Sequence, residues 1–222
     1  MRIVDLTHGF YPGMPAYPAG WFPEFGLERR MTPETDPSPT TTRTFSQLHL
    51  FPHNGTHIEY RLHFFPDGEG IDEVPLETLV GRACVADLSH VADLTPITGD
   101  DLQKCVGDVW QRGDRLLVRT DYVRRAWGRE DYWDVPPFMT ASAAEWAADN
   151  GASLVGIDCL TERPGDTASP VHLTLLTAGI PIAEYLTNMH ELTRQVVQLY
   201  ALPIKVRGSE AAPARVIAIE AD

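Results

Sequence analysis

Residues 53–63, H-N-G-T-H-I-E-Y-R-L-H, constrain this chain more than any other stretch, because they gather His53, His57, Glu59 and His63 into eleven positions. The whole chain of 222 residues holds only 8 histidines. Imidazole and carboxylate donors collected this densely suit a divalent transition metal. A fold that uses them must bend the backbone until they converge. In a flat strand the Cα atoms of His53 and His57 would lie roughly 13 Å apart, at ~3.3 Å per residue. Two donors on one ion each sit only ~2.0–2.2 Å from it. Residues four apart on a helical turn bring their Cβ atoms to ~5–6 Å, and His53/His57 and Glu59/His63 both have that spacing. Gly55 lies inside the first pair, where the lack of a Cβ permits a tight bend. The expectation is a segment that turns at Asn54-Gly55 rather than a regular strand. The alternative is a polar loop with scattered histidines.

Bulk properties exclude several function classes. The net charge of −13 offers no basic field to recruit phosphates, so nucleic acid and anionic membranes are not expected partners. A hydrophobic fraction of 43% with 22% charged residues is ordinary for a soluble globular protein. Cys84, Cys105 and Cys159 form no C-x-x-C pair and are odd in number, which points to a reducing compartment. Met1 leads into R-I-V-D-L with no apolar run of signal-peptide or membrane-span length. A cytoplasmic protein is expected.

The rest of the chain reads as alternating strands and helices. Residues 2–7 suggest a first strand, and 43–51 a strand leading into the histidine cluster. Between them, 11–24 carry Pro12, Pro15, Pro18 and Pro23, which forbid helix. Tyr11, Tyr17, Trp21 and Phe22 on that loop either wall a pocket or cap the core. Residues 31–42 read as a surface excursion, and 66–80 as a turn-rich loop followed by a short helix. Residues 82–88, 115–119 and 153–157 are apolar strands. A helix opens at an N-cap near Thr98, and another spans 141–149 and stops at Asn150-Gly151. This alternation indicates an α/β class. No linker, repeat or composition break appears, so a single domain over 1–222 is expected.

A second segment complements the histidine cluster. His172 and Glu184 stand twelve residues apart, separated by a helix-like run and the Gly179-Ile180-Pro181 break. Glu184 lies in I-P-I-A-E-Y-L, an apolar setting where an unpaired carboxylate is costly and a cation would remove the cost.

Three blocks, D-L-T with P-G-M-P-A-Y-P, then H-N-G-T-H-x-E-x-x-x-H, then G-I-D-C-L-T with the later His and I-P-I-A-E-Y-L-T-N, resemble the metal-dependent cyclase-like hydrolases over nearly the whole chain. That family includes bacterial kynurenine formamidase and isatin hydrolase. The resemblance implies that His53, His57 and Glu59 bind metal and that His172 and Glu184 complete a site for one or two ions, Zn2+ or Mn2+, with a bridging carboxylate. It also implies a catalytic His63 and a substrate-contacting aromatic at Tyr17. The implied fold is an α/β domain of swivelling β/β/α type, a mixed sheet flanked by helices, commonly dimeric or tetrameric, so a homo-oligomer is expected.

The family pattern reads H-x-G-T-H-x-D-x-P-x-H, and this chain departs from it twice. Glu59 replaces Asp, adding a methylene that shifts the carboxylate by more than about an ångström unless the backbone yields. Arg61 replaces Pro, and either recognises a substrate carboxylate or balances local acids. The chemistry expected of such a site is hydrolysis of an amide in a small carbonyl compound, an aryl formamide or a cyclic amide. A lactone hydrolase or cyclase on the same scaffold and a non-catalytic binding homologue are the competing readings. A serine nucleophile has no G-x-S-x-G support.

Overall fold

The computed structural model describes residues 1–31 and 43–221. The excursion expected over 31–42 therefore lies, apart from Met31, outside the described residues. Twelve strands are described: β1 Arg2–Asp5, β2 Gly26–Met31, β3 Thr44–His49, β4 His57–Glu59, β5 Val80–Asp87, β6 Pro96–Ile97, β7 Arg115–Arg119, β8 Phe138–Met139, β9 Leu154–Ile157, β10 Ile182–Glu184, β11 Val196–Pro203 and β12 Ala211–Glu220. The helices are α1 Leu76–Leu79, α2 Gly99–Val106, α3 Tyr122–Ala126, α4 Ala141–Asp149 and α5 Pro170–Thr177.

The main sheet closes on itself. Its order is β12-β11-β5-β7-β9-β10-β4, and β4 returns to pair with β12, with β1 added alongside β12. β5, β7, β9 and β10 run parallel, and the other pairings are antiparallel. The architecture is thus a mixed α/β fold with a mixed sheet, as expected. What the expectation of a helix-flanked sheet omitted is the closure, a seven-stranded circuit made by the long β12 and the three-residue β4.

Side-chain alternation separates two cores. Leu117, Leu154, Ala183, Ile58, Ala212, Leu199 and Ala83 come one from each strand of the circuit and fill its interior. Leu116, Val118, Val155, Ile157 and Ile182 point the other way, onto Leu102 of α2, Ala143, Ala144 and Ala147 of α4, and Leu175 and Leu176 of α5. The parallel strands are buried on both faces, which is why R-L-L-V-R and L-V-G-I read as near-continuous apolar runs. α2 begins where expected: Thr98 accepts from Asp101 N, and Asp101 answers on Thr98 N.

β2 and β3 form a separate two-stranded hairpin, and every residue of β3 is exposed. The strand expected over 43–51 therefore exists, but it does not run into the main sheet. Phe51 and Asn54 lie in a turn instead, Asn54 N donating to Phe51 O at 3.0 Å.

Gly55 has φ +57°, and a Cβ there would come within 3.0 Å of Met14 Cε and 3.2 Å of Phe10 Cζ. Both the left-handed backbone and the crowding oppose any side chain. Gly55→Ala is expected to cost ~1–2 kcal/mol, seen as a lower urea midpoint with unchanged slope.

Candidate metal centre and substrate cavity

β4 and β10 set the site. In their antiparallel register His57 lies opposite Glu184 and Glu59 opposite Ile182. Ile58 and Ala183 face the barrel interior, so His57, Glu59 and Glu184 share the outer face beside α5. The expected turn at Asn54-Gly55 is present, but the expectation of no regular strand is corrected at residues 57–59. His57 and Glu59 meet through the period of two in a strand, while the bend at Gly55 brings in His53 and a 3-10 turn, Arg61–His63, brings in His63. α5 supplies His172.

The donors converge as two groups of three that share Glu59: His53, His57 and Glu59, and Glu59, His172 and Glu184. His53 Nδ1 lies 3.2 Å from His57 Nε2 and 3.5 Å from Glu59 Oε2. His57 Nε2 lies 3.5 Å from Glu184 Oε2, and His172 Nε2 lies 2.9 Å from Glu59 Oε1. The longer Glu59 thus still reaches both groups, despite replacing Asp.

Each imidazole is held from behind. His57 Nδ1 donates to Gly55 O at 2.8 Å, His172 Nδ1 to Glu162 Oε1 at 2.9 Å, and His53 Nε2 to Glu210 Oε1 at 3.3 Å. With those nitrogens carrying the hydrogen, three lone pairs point at two buried carboxylates. Glu59 Oε1, fully buried, has no hydrogen bond. An array of acceptors facing acceptors needs a cation or protons between them. The donor set therefore fits a divalent ion.

Electrostatics repeat the point. Burial pulls His53 down, but Glu210 and Glu59 outweigh it and hold the ring up to about 9. His172 is likewise held well above its usual range, burial being overcome by Glu59 and Glu162. Burial opposes the charge on Glu59, yet His172 and His53 keep it well below the carboxylate range. Glu184 is pushed up to about 7 by burial and by Glu59, against the hydroxyl that Thr161 donates to it. Protons and a divalent ion compete for the same lone pairs.

Glu162 and Glu210 were not foreseen, and no local pattern marks them. Glu162 Oε1 also accepts from Val171 N and His172 N, so one oxygen ties the start of α5 and the His172 ring together. Glu162→Ala is expected to weaken metal affinity roughly 10–100-fold, measured by competition with a chelating dye, while Glu162→Gln retains most of it. Asp158 is not part of this support. It accepts from Thr120 N, Thr120 Oγ1 and Asp121 N, a turn-capping role.

The cluster floors a cavity of about 800 Å³. Tyr17, Trp21, Phe22, Phe51, Phe64 and Trp133 wall it, so three of the four aromatics on the 11–24 loop face the cavity. Phe22 meets Phe51 edge-on at 4.5 Å, and Tyr17 meets Trp133 at 5.4 Å. Tyr11 instead lies within 3.4 Å of Trp127 Nε1. His63 opens onto the cavity, its Nε2 3.5 Å from Glu59 Oε2, and belongs to neither three-donor group. Burial lowers its pKa. Arg61 does not line the cavity. It pairs with Glu69 at 3.3 Å and lies over the Phe65 ring, which favours balancing an acid over contacting substrate, the two roles expected of it.

The chain belongs to the Cyclase family: the family model matches residues 4–162. Kynurenine formamidase of Paracidovorax citrulli is 32% identical over 176 residues, 78% of each chain. A solved structure described as a potential metal-dependent hydrolase with cyclase activity is 31% identical, with a TM-score of 0.78 over 98% of this chain and 96% of that one. An isatin hydrolase bound to the product analogue thioisatinate shares the fold at a TM-score of 0.84 and 21% identity, covering 97% and 91% of the two chains. Among the described residues no helix is long and apolar enough to cross a membrane.

Beside the site, His8 stacks on Trp127 at 4.2 Å, and its Nε2 is buried with no hydrogen bond. Burial pulls this ring down to about 4. An unfolded histidine titrates near ~6.5, so on acidification the unfolded chain takes up this proton first. The contribution is complete above that pH and is lost as pH falls toward the folded value. His8→Phe keeps the stack without the titration. Its stability is expected to fall by about 2 kcal/mol less than that of the unsubstituted protein between about pH 7 and pH 4.5, measured by urea unfolding.

Proposed function

We propose that this protein hydrolyses the amide bond of a small aromatic carbonyl compound, an aryl formamide such as N-formylkynurenine or a cyclic amide, using a divalent cation, Zn2+ or Mn2+. The observation that carries the reading is the convergence of three imidazoles, His53, His57 and His172, on Glu59 and Glu184 at the floor of an aromatic cavity. His53, His57 and Glu59 would hold one ion, and Glu59, His172 and Glu184 a second. An ion held there supplies a Lewis acid that polarises a carbonyl and lowers the pKa of water.

The chain's own residues do the rest. The aromatic walls bind the ring of the substrate and exclude water around it. His63, kept neutral near pH 7 by burial, accepts the proton released as water adds to the carbonyl. It returns that proton to the departing nitrogen. A role as proton carrier explains why an imidazole stands beside the donor groups without belonging to either. The kynurenine formamidase relative and the hydrolase structure support the same chemistry. The swivelling description of the fold, one domain over 1–222 and a dimeric or tetrameric state belong to this reading through the family resemblance.

The test is a panel of aryl formamides, cyclic amides and lactones, followed by mass spectrometry of the products in the presence of added Zn2+ or Mn2+. Formate release or amide ring opening is expected. Turnover of lactones alone would replace this reading with the lactonase one.

A further inference from the structure

Arg163 is the only lysine or arginine among the described residues that line the cavity. Its neighbours on that wall are acids. Glu59 and Glu184 lie on the floor, Glu162 is engaged by His172 and Glu210 by His53, and Asp134 and Asp166 stand nearer the opening. None of them pairs with Arg163. Among the described residues its guanidinium has neither ion pair nor hydrogen bond, although the chain carries 31 acidic side chains against 18 basic ones. Several arginines elsewhere are engaged, Arg119 with Asp121 and Asp87, Arg129 with Asp131 and Arg215 with Asp5, but among those that line the cavity there is only Arg163.

The backbone beneath Arg163 is fixed. Asp166 N donates to Arg163 O at 2.9 Å across Pro164 and Gly165, and Gly165 has φ +78°. Proline followed by a glycine of positive φ is the signature of a type II turn, which fixes the backbone at its two central residues. The preceding residue, Glu162, is tied to α5 and to His172 by three hydrogen bonds. Arg163 therefore stands on a braced turn, one residue from a group that orients the metal centre.

We propose that Arg163 is a specificity-determining residue and that the substrate is an aromatic amide bearing a carboxylate. This rests on the amide-hydrolase reading of the same site. A guanidinium fork binds a carboxylate through two parallel hydrogen bonds, and the aromatic walls take the ring between that carboxylate and the amide. Among the described residues lining the cavity Arg163 is the one lysine or arginine, so it gives a substrate carboxylate a partner away from the donors on the floor. A neutral analogue gains nothing from it.

The test pairs 2-formamidobenzoate with its uncharged twin, 2-formamidobenzamide, in the unsubstituted protein, Arg163→Gln and Arg163→Lys. KM and kcat are measured for hydrolysis. Binding of 2-aminobenzoate and 2-aminobenzamide is measured separately by calorimetry, so that the result does not depend on turnover. Arg163 is exposed, so the variants are expected to fold, and their metal content is checked. The acid is expected to bind about tenfold or more tightly than the amide in the unsubstituted protein, the size of a charge-assisted hydrogen bond. Gln should close that gap by raising KM for the acid with little change in kcat, and Lys should restore part of it. Equal binding of acid and amide, or a gap that Gln leaves intact, would overturn the proposal even if both formamides are hydrolysed. A gap that depends on Arg163, with neither these formamides nor the cyclic amides of the panel hydrolysed, would sustain the anion site and refute the hydrolase reading instead.

Discussion

Glu59→Gln is expected to lose the metal of both donor groups at once, whereas His172→Ala loses only that of its own. The glutamine keeps the shape of the side chain, so the fold is not asked to fill a hole. It removes the one negative charge that both groups share. Glu59 is fully buried, and its two oxygens face different histidines, Oε1 toward His172 and Oε2 toward His53. A neutral amide retains one acceptor but presents an N–H on its other side, toward a nitrogen lone pair rather than a cation. Metal per chain, measured by plasma mass spectrometry after dialysis, should fall to near background in Glu59→Gln. In His172→Ala, the group of His53, His57 and Glu59 keeps all three donors. Full metal content in Glu59→Gln would show that the two groups do not depend on a common carboxylate. Glu59→Asp restores the residue type of the family pattern and is expected to keep the metal.

His63→Asn is expected to lower kcat ~10²–10⁴-fold while leaving metal content unchanged. The separation of these two readouts follows from geometry. His63 lies over the floor of the cavity, with its ring 4.5 Å from His53 and 6.1 Å from His172, outside both donor groups. Burial keeps the ring neutral at pH values where an exposed histidine is partly charged, so it stands ready to accept a proton. The sign for the pH profile follows. Activity through this base should be full near neutral pH and fall on acidification, with the acid limb below the ordinary histidine value of ~6.5. In His63→Asn the residual activity should lose that limb. Loss of metal in His63→Asn would make the residue a ligand rather than a proton carrier.

What could be read in the sequence divides by range along the chain. α2 was legible because its start is written locally, in Thr98 and Asp101 three residues later. α4 was legible from its alanines and the Asn150-Gly151 stop, and β7 from an apolar run that matches the strand end to end. The closed sheet was not. It depends on β4, three residues long, meeting β12 at Ala211–Pro213, about 150 residues away. No periodicity can be seen in three residues, and H-I-E resembles a loop as much as a strand. The candidate donors were visible as residue types, and the two segments that the family pattern joined do lie together in the structure. Their geometry was legible in part: the bend at Asn54-Gly55 is present, but the strand His57–Glu59 was not seen, because a four-residue spacing suggests a helical turn when no pairing partner is known. Glu162 and Glu210 left no trace, since their roles exist only once α5 and the start of β12 have docked. Arg61 could not be decided from sequence for a related reason: a charge inside the motif suits a substrate or a local acid equally, and only its 3-10 turn directs it to Glu69.

The measurement that bears most directly on the central claim is formate release from an aryl formamide before metal removal, after stripping with chelator and dialysis, and after reloading with Zn2+ or Mn2+. Circular dichroism confirms that the stripped protein remains folded. The account predicts that activity disappears with the metal and returns with it, in proportion to the metal regained per chain. Activity that survives complete removal of the metal from the folded protein would contradict it.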